Sequence, residues 1–465
     1  MTQPTPGRSP PSSRRGPNPG LRRGREELRT AGRALRDGCP RSSQGRLAGG
    51  DRGDPIDLIE ASDRSRLPEL VPVRHGRMLR SPFAFYRGTP LVMASDLSTT
   101  PSTGIKVQLC GDAHLLNFGT FATPERNLIF DLNDFDETLV GPWEWDVKRL
   151  GASVVVAART AGLAEADGVE AVRQCSFQYR STMAELAELS SFEVWHSRID
   201  IDVVVASAPN KQSQTAARRT VAKARQRTSM QALSKLTTIR DGSRVIVEDP
   251  PLVVRLGDEE LEQARRFVKA YRASVEPDRK VLLDRYEFVD AALKVVGVGS
   301  VGTRCFIALF AGVTDLDPLF LQIKEAQTSV LAPYAGRSPY RNQGQRVTVG
   351  QKIMQAASDV FLGWARADGF DTYVRQLRDM KGSVDIDGAS ASSLADYARL
   401  CGAALARAHA RSGHPALLAG YLGSGAAFDR ALVDFAVTYA NQTERDYETF
   451  VRAVRAGRLQ AVERR

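Results

Sequence analysis

Residues 391–411 place Leu394, Tyr397, Ala398, Cys401, Leu405 and Ala408 at helical spacing and stop at Gly413, and residues 428–454 carry the same periodicity. Residues 145–189 also read as helical, with Val154, Val155 and Val156 marking a buried stretch. A short helix is expected at 55–66, a basic amphipathic one at 212–236, a polar one at 258–286 and a further one at 347–364. Short apolar runs bounded by turn residues predict strands instead: 107–110, which stops at Gly111, then 128–130, 305–310, which closes at Gly312, and 319–325. Residues 371–386 read as strands leading into a hinge, with Arg378, Asp379 and Lys381 facing a cleft. The texture changes near residue 288, and no internal repeat is evident. The pattern as a whole predicts an α+β chain.

Polar residues collect where two of these strands end. Gly111-Asp112-Ala113-His114-Leu115-Leu116-Asn117 follows the first, and Asn133-Asp134-Phe135-Asp136-Glu137 follows the second. Loops on a buried scaffold are where catalytic groups concentrate. Phosphoryl transfer needs one carboxylate to orient or deprotonate the acceptor hydroxyl, an amide and a carboxylate to hold Mg²⁺, and cations on the phosphates. Asp112, Asn117 and Asp134 fit the first three roles. If the second stretch is extended, Asp134 and Asp136 share a face while Asp131 points away, so Asp134 is favoured as the metal ligand, with Asp131 and Asp136 as alternatives. His114 joins Asp112 as a candidate catalytic residue, although packing beneath the loop suits it better. The plain alternative is that these acids are turn residues and helix caps.

Residues 295–310 contain Gly297, Gly299 and Gly302 in a Gly-x-Gly-x-x-Gly pattern. A dinucleotide-binding turn must open a helix after the third glycine, whereas 305–310 is strand-like, so a β-hairpin covering phosphates is expected. Lys324 stands near the end of the next strand. Aromatics beside arginines in 80–88 are suited to an anionic ligand, although packing against the core is the commoner outcome.

The Gly-Asp-x-His loop, with Asn117 five residues after Asp112, followed by Asn-Asp-Phe-Asp, resembles the catalytic and metal loops of the aminoglycoside and choline phosphotransferases, of the protein-kinase-like group. Residues 141–150 resemble the helix start after the metal loop, with Asp146 as the residue that hydrogen-bonds back, and 319–325 resembles the strand whose lysine reaches nucleotide phosphates. The resemblance implies Asp112 as base, Asn117 and Asp134 on Mg²⁺, Gly297, Gly299 and Gly302 over the phosphates of ATP, and Lys324 as phosphate clamp. That lysine ordinarily pairs with a helix glutamate, yet no glutamate occurs between Glu325 and Glu444, and Asp359 is the substitute on offer. The glycine hairpin also follows the catalytic loop by about 180 residues instead of preceding it. A kinase-like fold then has to be circularly permuted. It would comprise a tail (1–55), a helical lobe with both loops (56–287), a small β-rich nucleotide-binding lobe with an antiparallel sheet (288–390) and C-terminal helices completing the helical lobe (391–465). Residues from about 70 to 450 resemble the bacterial domain-of-unknown-function family 2252, through 81–88, 111–117, 131–137, 141–150, 297–303, 376–383 and 406–413. That family supplies no substrate.

Charge and cysteines narrow the alternatives. The net charge of +10 over 465 residues looks like a nucleic-acid signal, but residues 1–55 hold twelve arginines, no lysine and five acids, which leaves +3 for the remainder. This Arg-, Pro- and Gly-rich tail reads as disordered. The basic helix lacks interleaved aromatics for base stacking, so a solvated face is expected, and nucleic acid enters only through the tail. No apolar run reaches membrane-spanning length, and the arginine pairs of the tail precede no apolar leader segment, so the expected location is the cytoplasm. Cys39, Cys110, Cys175, Cys305 and Cys401 show no metal or redox spacing and are expected to be buried thiols. The resulting expectation is an ATP- and Mg²⁺-dependent phosphotransferase acting on a small hydroxylated molecule. The alternatives are a catalytically inactive kinase-like module binding a nucleotide or partner, and a metal-dependent hydrolase built on the same acids.

Overall fold

The structure, a computed structural model, describes residues 24–47, 52–206, 211–226, 229–240, 243–295, 297–314, 317–377, 382, 386 and 388–462. The fold is mixed α+β with small antiparallel sheets. Two ribbons carry the polar loops: β1 (Lys106–Leu109) pairs with β4 (Leu139–Pro142), and β2 (Phe118–Ala122) pairs with β3 (Leu128–Leu132), both antiparallel. Residues 110–117 therefore bridge one ribbon to the other, and residues 133–138 bridge them back. Every residue of β2 and β3 is buried, which fixes the roots of both loops in the core.

Beyond the hairpin β5 (Thr237–Arg240) and β6 (Ser243–Ile246) lies a six-stranded antiparallel sheet. It is built from β7 (Val253–Arg255), β8 (Glu287–Lys294), β9 (Cys305–Ala311), β10 (Pro318–Glu325), β11 (Gly363–Ala367) and β12 (Phe370–Gln376), in the order β11-β12-β10-β9-β8-β7. The strand alternation separates its faces. Leu319, Leu321 and Ile323 pack with Val374 under Phe267 and Tyr271 of helix Asp258–Arg272. On the other face Ile307, Leu309 and Phe320 meet Leu233 and Ile246. Lys324 shares that second face by register.

Several elements differ from the sequence expectations, each for a local reason. The sheet unit does not begin near residue 288, because β7 already pairs with β8 and helix Asp258–Arg272 already packs in the sheet's core. The helix expected at 347–364 is Gln343–Met354, capped by the Asn342 side chain on Gln345 N, and Trp364 lies in β11. The helical run 145–189 is two helices, Trp143–Thr160 and Glu165–Leu186, divided at Gly162 with a φ of +72°. Residues 212–236 and 258–286 likewise split, into Lys211–Arg225 with Ser229–Leu236, and Asp258–Arg272 with Pro277–Leu283. Part of the Arg-rich tail is ordered as helix Arg25–Gly38. Its buried Gly32 lets it approach helix Pro415–Leu422, and Arg36 donates from Nε to the Tyr421 carbonyl at 2.9 Å. Arginine-rich composition masks that narrow small-residue face. Residues 1–23, and Arg378, Asp379 and Lys381, lie outside the described residues. Among the described residues no helix is long and apolar enough to cross a membrane.

Helix Ala391–Ala410 runs through the middle of the main core and supports both loops from below. Tyr397 donates its hydroxyl to the carbonyls of Leu115 and Phe118, at 3.0 and 2.9 Å. Arg407 donates from Nη2 to Asp131 Oδ1 at 2.5 Å and to the Met354 carbonyl at 2.8 Å, while Ala356 N donates to Asp131 Oδ2 at 2.8 Å. Asp131 and Arg407 are both almost fully buried, so removing one partner strands the other charge. Arg407→Ala is expected to cost about 3–5 kcal/mol of stability, seen as a lower urea midpoint. An unchanged midpoint would show that the pair does not anchor β3.

Candidate functional site

Gly111 starts the first loop with a φ of +85°, and a Cβ there would lie 2.3 Å from the Glu137 carbonyl oxygen. The two polar loops therefore touch at a position only glycine can occupy. Cys110 N and Gly111 N donate to the two carboxylate oxygens of Asp146 at 2.8 and 3.0 Å, so Asp146 does bond back to the loop. His409 Nε2 lies 3.2 Å from the same carboxylate, and its Nδ1 lies 2.9 Å from the Tyr179 hydroxyl. One turn further along helix Trp143–Thr160, Arg149 donates from Nε to Asp112 Oδ1 at 2.5 Å. This leaves Asp112 Oδ2 as the less committed oxygen, 3.8 Å from His114 Nε2. Asn117 spends its Nδ2 on the Asp112 carbonyl at 2.5 Å, which leaves its side-chain oxygen as an acceptor, and its own carbonyl receives Asn133 N at 2.8 Å.

The second loop is held by Asp136. Its carboxylate receives Lys324 Nζ at 2.5 Å, the Tyr373 hydroxyl at 2.6 Å and the Ser300 hydroxyl at 3.1 Å. Burial opposes this ionisation, but the charge and hydrogen bond of Lys324, helped by Tyr373, pull Asp136 down to about 2. Burial likewise works against the Lys324 ammonium, and Asp134 and Asp136 outweigh it, holding Lys324 well above the ordinary lysine value. Asp134 lies 3.9 Å from Lys324 Nζ, and burial together with repulsion from Asp136 pushes its carboxyl up. It is the less committed of the pair.

The lysine's carboxylate partners thus come from the loop itself. Helix Gln343–Met354, where a glutamate was sought, instead supplies Arg346, which donates to the carbonyls of Thr138 at 2.7 Å and of Asp136 and Gln327 at 2.8 Å. Asp359 does not replace the glutamate: it lies beyond that helix, where it accepts Phe361 N at 2.8 Å and Gln376 N. Asp131, one of the alternative metal ligands, is fully buried beneath the loops with Arg407.

These loops line one cleft. Asp112, His114, Asn117, Asp134 and Asp136 form one part of its wall, and Gly297, Gly299 and Ser300 of the β8–β9 connection form another. The third part comes from residues N-terminal to β1, including Arg66, Arg87 and the start of helix Pro90–Ser98. Arg66 holds the glycine loop by donating from Nη1 to the carbonyls of Gly299 at 2.7 Å and Val301 at 2.5 Å, while Leu67 N donates to the Gly302 carbonyl at 2.7 Å. Gly302, φ +89°, packs against Arg66 outside the cleft lining, and Lys324 reaches the site through Asp136. Among the described residues no three His, Cys, Asp or Glu side chains are grouped to hold a metal. A metal here would rest on Asp134, the amide oxygen of Asn117 and oxygens brought by the ligand. All five cysteines are buried free thiols, and burial followed by Asp146 pushes Cys110 well above the usual thiol value.

Sequence reasoning missed Arg149, Arg346, Tyr373 and Arg66 as functional supports. Arg149 had a signal, since three residues after Asp146 is the same helical face. The others reach the site from segments far apart in the chain and carry no local mark.

The model of a bacterial family described as an uncharacterized protein conserved in bacteria (DUF2252) matches residues 66–453 of the chain. No curated protein and no solved structure matches the chain.

His114 is almost fully buried, and burial, followed by the charges of Arg87 and Arg149, pushes its pKa well below the ordinary 6.5. Below that pH the unfolded chain takes up a proton that folded His114 refuses, so this contribution to stability is complete above pH 6.5 and is lost as the pH falls. His114→Gln is expected to lose less melting temperature than the wild type between about pH 7.5 and pH 5.5. Parallel pH profiles of the two proteins would show that His114 is not held neutral.

Proposed function

The chain belongs to the DUF2252 family, a membership that names no reaction, and we propose that it is an ATP- and Mg²⁺-dependent phosphotransferase acting on a small hydroxylated molecule. The observation that carries this is the cleft in which Asp112, Asn117 and Asp134 face Gly297, Gly299 and Ser300. Asp112, with Oδ1 held by Arg149, orients the acceptor hydroxyl and accepts its proton on Oδ2 as the hydroxyl oxygen bonds to the terminal phosphorus and the bond to the ADP oxygen breaks. Asn117 and Asp134 are hard oxygen donors suited to Mg²⁺. When bound, Mg²⁺ would neutralise charge on the phosphates. Lys324 would serve the same charge from behind Asp136, and the β8–β9 loop would cover the phosphates and exclude water.

The order of elements supports a kinase-like arrangement in permuted form. The glycine hairpin β8–β9, the lysine strand β10, helix Gln343–Met354 and strands β11 and β12 follow one another as the resemblance implies. Helix Ala391–Ala410 then ends beside β1, where Ser412 Oγ accepts Gln108 N at 2.8 Å. A helix that would run straight into the catalytic ribbon in an unpermuted chain is thereby docked against it through space.

One observation favours a second reading, a nucleotide-binding module without catalysis. Lys324, 2% exposed, is bound to the very loop that would hold the metal. ATP with Mg²⁺ is expected to raise the melting temperature of the wild type, and this shift should vanish in Asp134→Ala. ATP turnover should fall about a hundredfold or more in Asp112→Asn while ATP binding survives. No MgATP-dependent shift and no turnover in the wild type would sink the proposal. Binding with no turnover in either protein selects the inactive module.

A further inference from the structure

We propose that Arg87 is an oxyanion clamp that binds a phosphoryl group in the cleft. Which phosphate it holds rests on the phosphotransferase reading; that it holds one does not. Arg87 occupies the last turn of helix Pro82–Gly88 and lines the cleft. Among the described residues it makes no hydrogen bond or ion pair, and its Nε is buried with no acceptor. The other arginines of this wall are committed, Arg66 to the glycine-loop carbonyls and Arg74 to Asp63 at 2.7 Å and the Gly88 carbonyl at 2.5 Å, and Arg149 outside the lining is bound to Asp112. Burial depresses Arg87, while Asp112 and Asp134 attract it through space without bonding to it.

Two neighbours point the same way. His114, 4% exposed, lines the same cleft with its Nδ1 lacking any partner. Helix Pro90–Ser98 begins two residues after Gly88, its first turn lines the cleft, and Thr89 gives it no side-chain cap. Unpartnered donors of a first helical turn attract anions. The glycine loop closes over this spot, since a Cβ at Gly299 would stand 3.3 Å from the Arg87 carbonyl oxygen. The backbone beneath is rigid: Tyr86 donates its hydroxyl to the Arg149 carbonyl at 2.7 Å and Thr89 Oγ1 donates to the Phe85 carbonyl at 3.0 Å. A fixed guanidinium fork fits two oxygens of a tetrahedral phosphoryl anion. Sharing a cleft with Asp112 and Asp134, both of which attract it through space, suits it to a group that meets the proton acceptor and the metal donors.

The phosphate has two possible sources, the terminal group of the nucleotide or a phosphate carried by the acceptor. Calorimetric titrations of wild type, Arg87→Gln and Arg87→Lys with MgATP, MgADP and orthophosphate separate them. If the nucleotide supplies it, Arg87→Gln weakens MgATP about tenfold or more while MgADP changes little, and Arg87→Lys recovers part of the loss. If the acceptor supplies it, both nucleotide affinities stay unchanged, and orthophosphate binding to the MgADP-loaded protein falls by a similar factor. Equal affinities of wild type and Arg87→Gln for all three probes overturn the clamp. Should Arg87→Gln fail to fold, Arg87→Lys decides: wild-type affinity for every probe overturns the clamp, and a reduced affinity supports it. A wild type that binds neither nucleotide overturns the phosphotransferase proposal instead. Orthophosphate alone then tests the clamp, which falls if wild type and variant bind it alike or the wild type does not bind it.

Discussion

The cleft depends on one ion pair, Lys324 with Asp136. It joins the fourth strand of the six-stranded sheet to a loop 188 residues earlier in the chain. Neither group is tolerable there alone, because a buried charge without a partner is strongly destabilising. The same carboxylate also receives Tyr373 from β12 and Ser300 from the glycine loop. A single side chain thus gathers the lysine strand, its neighbouring strand and the loop that covers the cleft. Because Asp136 is consumed in this way, no cation among the described residues reaches the Asp134 carboxylate within hydrogen-bond distance, Lys324 Nζ lying 3.9 Å away.

The helical side of the cleft is built by the opposite strategy, in which polar atoms are aimed at backbone. Tyr397 bonds carbonyls on either side of Asn117, Asp146 receives two successive amides of the first loop, and Arg346 binds carbonyls of the second. Backbone so held has little freedom to move when a ligand enters, which favours preorganisation of the side chains it carries. His409 and Tyr179 extend this support from Asp146 into helix Glu165–Leu186. The loops therefore inherit their positions from helices encoded at both ends of the chain.

The local features of this arrangement were legible in the sequence and the distant ones were not. The strands at 107–110, 128–130, 305–310 and 319–325 announce themselves by apolar runs that end at turn residues, and each is a strand. Asp146 was visible through its place at a helix start, and it bonds the loop as expected. The resemblance places the lysine's partner on a helix as a glutamate, yet the partner is Asp136, four residues after Leu132. Nothing local distinguishes Asp136 from Asp134, because their difference arises only when β10 and β12 are folded over the loop. Asp131 reads as an alternative metal ligand in the sequence because nothing local reveals that Arg407, 276 residues away, claims it. Helix Arg25–Gly38 was hidden by the arginines that surround its small packing face.

Charge in the cleft is arranged so that most cations face carboxylates or carbonyls of the protein itself. Arg149 neutralises one oxygen of Asp112, Lys324 neutralises Asp136, and Arg66 and Arg346 are absorbed by backbone. Asp134, whose nearest described cation is Lys324 Nζ at 3.9 Å, and the guanidinium of Arg87 line one cavity without bonding to each other. A simple cation would satisfy only the first of these, and a simple anion only the second. A ligand that brings both charges together satisfies the two at once, and a phosphate carrying its own divalent ion has that composition. The glycine loop adds bulk to this wall without adding side-chain charge, so most of the charges a ligand meets here come from the polar loops and from the segment N-terminal to β1.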